Sequence, residues 1–210
     1  MASIVGDLYE NDFGHEDNYP QKILEVFSGR YDAKETGYRR VTLDENTNLF
    51  YYILGHGGDG YFKILDTTVV FAQNMADYLE DPAFKSKFRK LFFMSDSCGA
   101  GTLFHKIGKM EGTFWMGSSS WDQNSLSLDY DEIFSQPLND RFTHRFVNLM
   151  QEGLKPKGDP EFSRFSWGDV TKHMNHTYLE ADLLEFNYMN QEPEKVALVW
   201  SKNFVIDIHE

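Results

Sequence analysis

The stretch "FYYILGHGGDGYF", residues 50–62, runs apolar for five residues and breaks at His56, which stands among Gly55, Gly57, Gly58 and Gly60. A short, bulky apolar run with an abrupt end has the pattern of a strand buried on both faces. Glycine weakens regular structure but lets other groups approach the backbone closely. A second such run, "KLFFMS" at 90–95, leads into Asp96, Ser97 and Cys98, with Gly99 and Gly101 just beyond. A third, "TFWMGSSS" at 113–120, ends in three serines.

Helical patterns surround these strands. "YPQKILEVFSGR" (19–30) places Pro20 in a first turn and Ile23, Leu24 and Phe27 on one face, and Gly29 ends it. "YFKIL" (61–65) reads as a short strand. Ala72, Met75, Ala76 and Leu79 follow the i, i+3, i+4, i+7 spacing of a half-buried helix. A short helix covers Leu103, Phe104 and Ile107. A longer one in "LNDRFTHRFVNLM" has Asn139 as its cap and Phe142, Phe146, Leu149 and Met150 on one face. Residues 151–165 read as a loop, "SWGDVTKHM" as helical, and "VALVWSKNFVIDI" (196–208) as a closing pair of strands. Alternating strands and helices imply an α/β layered fold around a mainly parallel sheet. The 210 residues fit a single domain, 1–210, with an irregular acidic segment over 1–18.

The composition is that of a folded chain, 41% hydrophobic and 16% aromatic. Its formal charge of −13, from 33 acidic and 20 basic residues, argues against a nucleic-acid surface, which needs clustered Lys and Arg. The one basic cluster, "KSKFRK" at 85–90, suits a solvated helix end. No run has the length of a membrane span, and "MASIVGDLYENDF" has neither the basic nor the apolar part of a signal peptide. The single cysteine, Cys98, excludes an internal disulfide.

In open α/β sheets, ligands gather beyond the carboxyl ends of the strands. Two core strands each deliver a reactive residue there, His56 and Cys98, and a third brings Ser118, Ser119 and Ser120. A thiolate attacks carbonyls, and a neighbouring imidazole or helix N-terminus favours it over the thiol. The pattern points to a Cys98/His56 dyad for acyl transfer, with the N–H groups of Gly57 and Cys98 as donors to the oxyanion. A lone cysteine is most often an inert core residue, and a lone histidine is usually just hydrogen-bonded. Together, each at a strand end and flanked by glycines, they carry more weight. The serines either shape a substrate pocket or cap backbone groups of a turn. His173 and His176 lack an obvious third metal ligand and read as surface residues.

"GHGGDGYFKILD" and "FFMSDSCGAGTLF" resemble the His and Cys blocks of the legumain-type cysteine peptidases, most nearly their branch of GPI transamidase catalytic subunits. "DNYPQKILEVFSGR", "MGSSSWDQNSLS" and "LNDRFTHRF" are similar to further blocks of that branch, in the same order. The resemblance implies a caspase-like three-layer α/β/α sandwich. It implies transfer of a proprotein's new carboxyl end, released from a C-terminal signal, to the ethanolamine amine of a GPI lipid through a Cys98 thioester. A lumenal site in the endoplasmic reticulum and partner subunits in a membrane complex go with it. Two other readings share the residues: an endopeptidase in which water resolves the thioester, and a truncated homologue that only binds. "VGDLYENDF" is similar to an acidic segment of a divalent-cation site, which would make Glu10 and Asp12 ligands of a structural calcium ion; otherwise they are exposed acids. No cofactor is expected for the chemistry. The family's opening strand and helix and its terminal membrane helix have no counterpart in this sequence, so a sheet lacking its first strand is expected.

Overall fold

The computed structural model describes residues 19–28, 43–64, 68–107, 110–154 and 167–189. In chain order its elements are α1 (Tyr19–Ser28), β1 (Asn48–Leu54), β2 (Gly57–Gly58), β3 (Tyr61–Ile64), β4 (Thr68–Phe71), α2 (Ala72–Leu79), α3 (Pro82–Lys85), β5 (Lys90–Asp96) and α4 (Ala100–Ile107). After these come β6 (Thr113–Gly117), β7 (Ser127–Asp131), β8 (Gln136–Asp140), α5 (Arg141–Leu154), α6 (Trp167–His173), α7 (His176–Leu179) and β9 (Leu184–Asn187).

The central sheet has the order β1-β5-β6-β9. β1, β5 and β6 are parallel and β9 runs against β6, so the sheet is mainly parallel as its apolar runs imply. Strand side chains alternate between faces, and here neighbouring residues serve two cores. Leu91, Phe93 and Trp115 pack with Leu24 of α1, Phe84 of α3, and the buried faces of α2 and α4. Phe92, Met94, Phe114 and Met116 pack with Phe142 and Leu149 of α5, Val170 of α6 and Leu179 of α7. Helices on both faces make the three-layer α/β/α sandwich.

The register stacks aromatics across the strands on each face. Phe50, Phe92 and Phe114 are opposite one another, with ring centroids 5.4 and 5.3 Å apart. On the other face, Phe93 meets Tyr51 at 5.9 Å and Trp115 at 5.2 Å. Cross-strand pairs of this kind fix register, because a slip of one residue would exchange the two faces.

Ala72, Met75, Ala76 and Leu79 are all buried in α2, as their spacing predicts. Leu24 of α1 is buried and Ile23 half-buried. The 138–150 pattern requires two corrections. Asn139 does not cap the helix; it lies in β8 opposite Leu128, and the Asp96 carboxylate accepts from the Thr143 N–H in the first turn of α5. The helix also continues to Leu154, into the stretch read as loop. The 1–18 segment, Gly29 and the 196–208 strand pair fall outside the described residues, as does the side chain of Phe27.

Candidate active site

β1 and β5 pair in parallel through Leu54 and Asp96, and the ladder is extended by the Gly55 N–H donating to the Asp96 carbonyl at 3.1 Å. Past the strand ends, the two chains remain in contact. A Cβ on Gly57 would lie 2.7 Å from the Cys98 carbonyl oxygen and 2.9 Å from Ser97 Cβ, closer than real Cβ contacts, so only glycine fits without a backbone shift. Gly99 adopts φ +62°, a left-handed conformation that favours glycine, and its missing Cβ would stand 3.3 Å from the Gly58 carbonyl group. The glycines around His56 and Cys98 thus let two turns pack backbone against backbone.

His56 is exposed and Cys98 half-buried. Cys98 lies just before the first turn of α4. Its sulfur has one hydrogen-bond partner among the described residues, the Ser125 carbonyl at 3.9 Å.

The two backbone donors predicted from sequence, the N–H groups of Gly57 and Cys98, differ in what the structure shows of them. In an antiparallel ladder, opposed residues alternate between bonded and non-bonded pairs. Lys63 N–H donates to the His56 carbonyl at 2.7 Å, so the next pair, Gly57 and Phe62, is non-bonded and the Gly57 N–H points away from β3. The Cys98 N–H has no hydrogen bond among the described residues.

Ser118 and Ser119 are buried, and their hydroxyls serve the turn that carries Cys98. Ser118 Oγ accepts from the Ser97 N–H at 3.1 Å. Ser119 Oγ accepts from the Ala100 N–H at 3.2 Å and donates to the Ser97 carbonyl at 2.9 Å. These bonds are of the kind the backbone-capping alternative predicts. Gly99 N–H adds a bond to the Gln123 carbonyl at 2.9 Å.

Asp96, only 2% exposed, joins the site to the hairpin and to α5. Its carboxylate accepts from Ser125 Oγ at 2.6 Å, from the Thr143 N–H at 3.0 Å, and from the Thr143 hydroxyl, which also meets Tyr52 Oη. A carboxylate bonded this fully ties the end of β5 to Ser125 and to the first turn of α5. Burial pushes the Tyr52 phenol well above its ordinary range. At the β8–α5 junction, burial and then the Asp96 charge push the Asp140 carboxyl upward, and positive charge on His56 draws it back. His56 is therefore within electrostatic reach of Asp140.

The sequence pattern did not single out Ser125, Thr143 or Thr102. Each is a small hydroxyl residue that acts through hydrogen bonds to distant segments, which no local spacing encodes. His173 and His176 are exposed; the first bonds to the Asp169 carbonyl at 2.6 Å and the second lies 3.9 Å from Asp182. No group of three metal-ligating side chains occurs among the described residues, and Glu10 and Asp12 lie outside them. No described helix is long and apolar enough to cross a membrane.

The sequence profile of the Peptidase C13 family matches residues 4–157, which contain both His56 and Cys98. The GPI-anchor transamidase of Saccharomyces cerevisiae is 28% identical over 184 residues, covering 88% of this chain and 44% of that one. The GPI-anchor transamidase of Homo sapiens is 25% identical over 150 residues, covering 71% of this chain and 38% of that one. The chain therefore spans less than half the length of these curated relatives. With the three-layer sandwich and the matched profile in agreement over most of its length, the chain belongs to the Peptidase C13 family.

Proposed function

We propose that this chain carries the catalytic dyad of a GPI-anchor transamidase, with Cys98 as nucleophile and His56 as general acid and base. The reading is supported above all by the packing of the His56 and Cys98 turns against each other at the carboxyl ends of adjacent parallel strands. Similarity to proteins named GPI-anchor transamidase supplies the substrate class.

In this reading the Cys98 thiolate adds to the carbonyl carbon at the cleavage point of a C-terminal signal. The N–H groups of Gly57 and Cys98 stabilise the oxyanion. His56 gives its proton to the departing amine as the C–N bond breaks, leaving a thioester. The ethanolamine amine of a GPI lipid then attacks the thioester carbonyl and His56 takes its proton. The C–S bond breaks and returns the thiolate. One amide replaces another, so no oxidant or reductant is needed. Association with other subunits at the lumenal side of the endoplasmic reticulum belongs to the same proposal, as does a structural calcium ion at Glu10 and Asp12.

A signal peptide offered to the full protein with hydrazine separates this reading from plain proteolysis. The expected product is the peptide hydrazide, dependent on Cys98. Release of the free acid alone, undiminished by hydrazine, would instead make the chain an endopeptidase. Biological function left intact by Cys98→Ala would leave only a binding role.

A further inference from the structure

The Thr102 side chain, on the first turn of α4 and 7% exposed, lies among three backbone groups from two different turns. The Gly60 N–H donates to its Oγ1 at 2.7 Å. The same hydroxyl can donate to the Gly99 carbonyl at 2.7 Å or to the Gly58 carbonyl at 3.1 Å. A hydroxyl has one proton and two lone pairs, so it can accept from Gly60 while its proton serves one carbonyl or is shared between both. Gly58 and Gly60 belong to the turn after His56, and Gly99 to the turn after Cys98. The hydroxyl thus bonds to both at the place where Gly99 and Gly58 come closest.

Other direct ties between these turns, among the described residues, include the Gly55–Asp96 backbone bond and van der Waals contacts at Gly57 and between Gly99 and Gly58. Contact resists closer approach but does not prevent separation. The part-buried bond from Gly60 and the buried bond to Gly99 do, because breaking them leaves backbone groups that water reaches poorly. A methyl in place of the hydroxyl would keep the volume of the side chain and remove the tie.

We propose that Thr102 is a positioning residue of the active site, whose hydroxyl holds the His56 turn against the Cys98 turn and so sets the approach of imidazole to thiol. It touches neither substrate nor the reacting atoms. The proposal rests on the Cys98/His56 reading above.

The test is the pH dependence of Cys98 alkylation by iodoacetamide in the full protein, followed by peptide mass spectrometry. Wild type is compared with Thr102→Val, Thr102→Ser and His56→Ala. In mildly acidic solution wild type should react faster than His56→Ala, which lacks the imidazole beside the thiol. Displacing a reacting group by about 1 Å can cost on the order of 100-fold. Thr102→Val, folded by circular dichroism, should therefore fall about tenfold or more in the acidic limb, towards His56→Ala. Thr102→Ser should stay within about twofold of wild type, since it retains the hydroxyl.

If wild type and His56→Ala share one profile, the dyad reading fails and the clamp fails with it. If His56→Ala differs while Thr102→Val matches wild type, the clamp alone is wrong. Amide hydrogen exchange on the unmutated protein gives a check that does not depend on any variant folding. The Gly60 N–H should be protected by its bond to Thr102, and exchange at an unprotected rate would overturn the proposal.

Discussion

The paired turns after β1 and β5 and the β7–β8 hairpin are linked through Asp96 and Ser125 yet built on opposite principles. At the turns, backbone lies on backbone, and a single Cβ on Gly57 would come within 2.7 Å of the Cys98 carbonyl. On the hairpin, Ile133 is 88% and Phe134 68% exposed, and the bend is held locally by Asp131 accepting from the N–H groups of both residues. The turns gain precision by having no spare volume. The hairpin gains its shape from its own hydrogen bonds and depends little on what its side chains touch. Substitutions should therefore matter at the turns out of proportion to their size, and little at the hairpin tip.

The largest effects should come from the two side chains of the proposed dyad. Cys98→Ala and His56→Ala should each lower transamidation by at least about 10³-fold while leaving far-ultraviolet dichroism unchanged. Residual activity near wild type in either would break the contrast at its root.

A smaller effect separates neighbouring glycines. Gly57→Ala forces the Cys98 backbone to move and should cost on the order of 100-fold in kcat/KM. Gly58→Ala meets only the ring of Tyr61, which can swing aside, and should cost far less. Steady-state kinetics on the pair would sharpen the comparison, and equal losses would contradict it.

Asp140, where the hairpin joins α5, should show its effect in stability. Its carboxyl is held above the ordinary range, so the folded state binds this proton more tightly than the unfolded state does. Its contribution to stability is complete below the unfolded pKa and is lost as pH rises through the higher folded value. Asp140→Asn should therefore raise Tm at neutral pH and lose that advantage in acid, as thermal melts across pH would show. The smallest change belongs to the hairpin tip: Ile133→Ser and Phe134→Ser should each alter unfolding free energy by less than about 0.5 kcal/mol in urea titrations.

Where burial is complete, the sequence carries a plain signal. The runs at 91–94 and 114–116 are apolar at successive residues because both faces of the sheet are covered, and they mark β5 and β6, while the run at 50–54 marks β1, which is half-buried over most of its length. Ala72, Met75, Ala76 and Leu79 mark α2 for the same reason. The β7–β8 hairpin has no such pattern, since Tyr130, Ile133, Phe134 and Leu138 are exposed and polar residues fill the rest. Asn139 looked like a helix cap because the local pattern cannot show that Asp96, more than forty residues earlier, takes that part. At the site, His56 and Cys98 were legible from their glycines and their places at strand ends. Thr102, Ser125 and Thr143 were not, because their roles are defined by partners far away in the chain.

The most direct measurement is a crystal structure of the full protein with a peptidyl chloromethyl ketone bound covalently to Cys98. A His56 ring nitrogen should lie about 3–4 Å from the sulfur, with the inhibitor oxygen between the N–H groups of Gly57 and Cys98. An imidazole turned to solvent on the far side of the sheet edge, with that oxygen bonded elsewhere, would contradict the account.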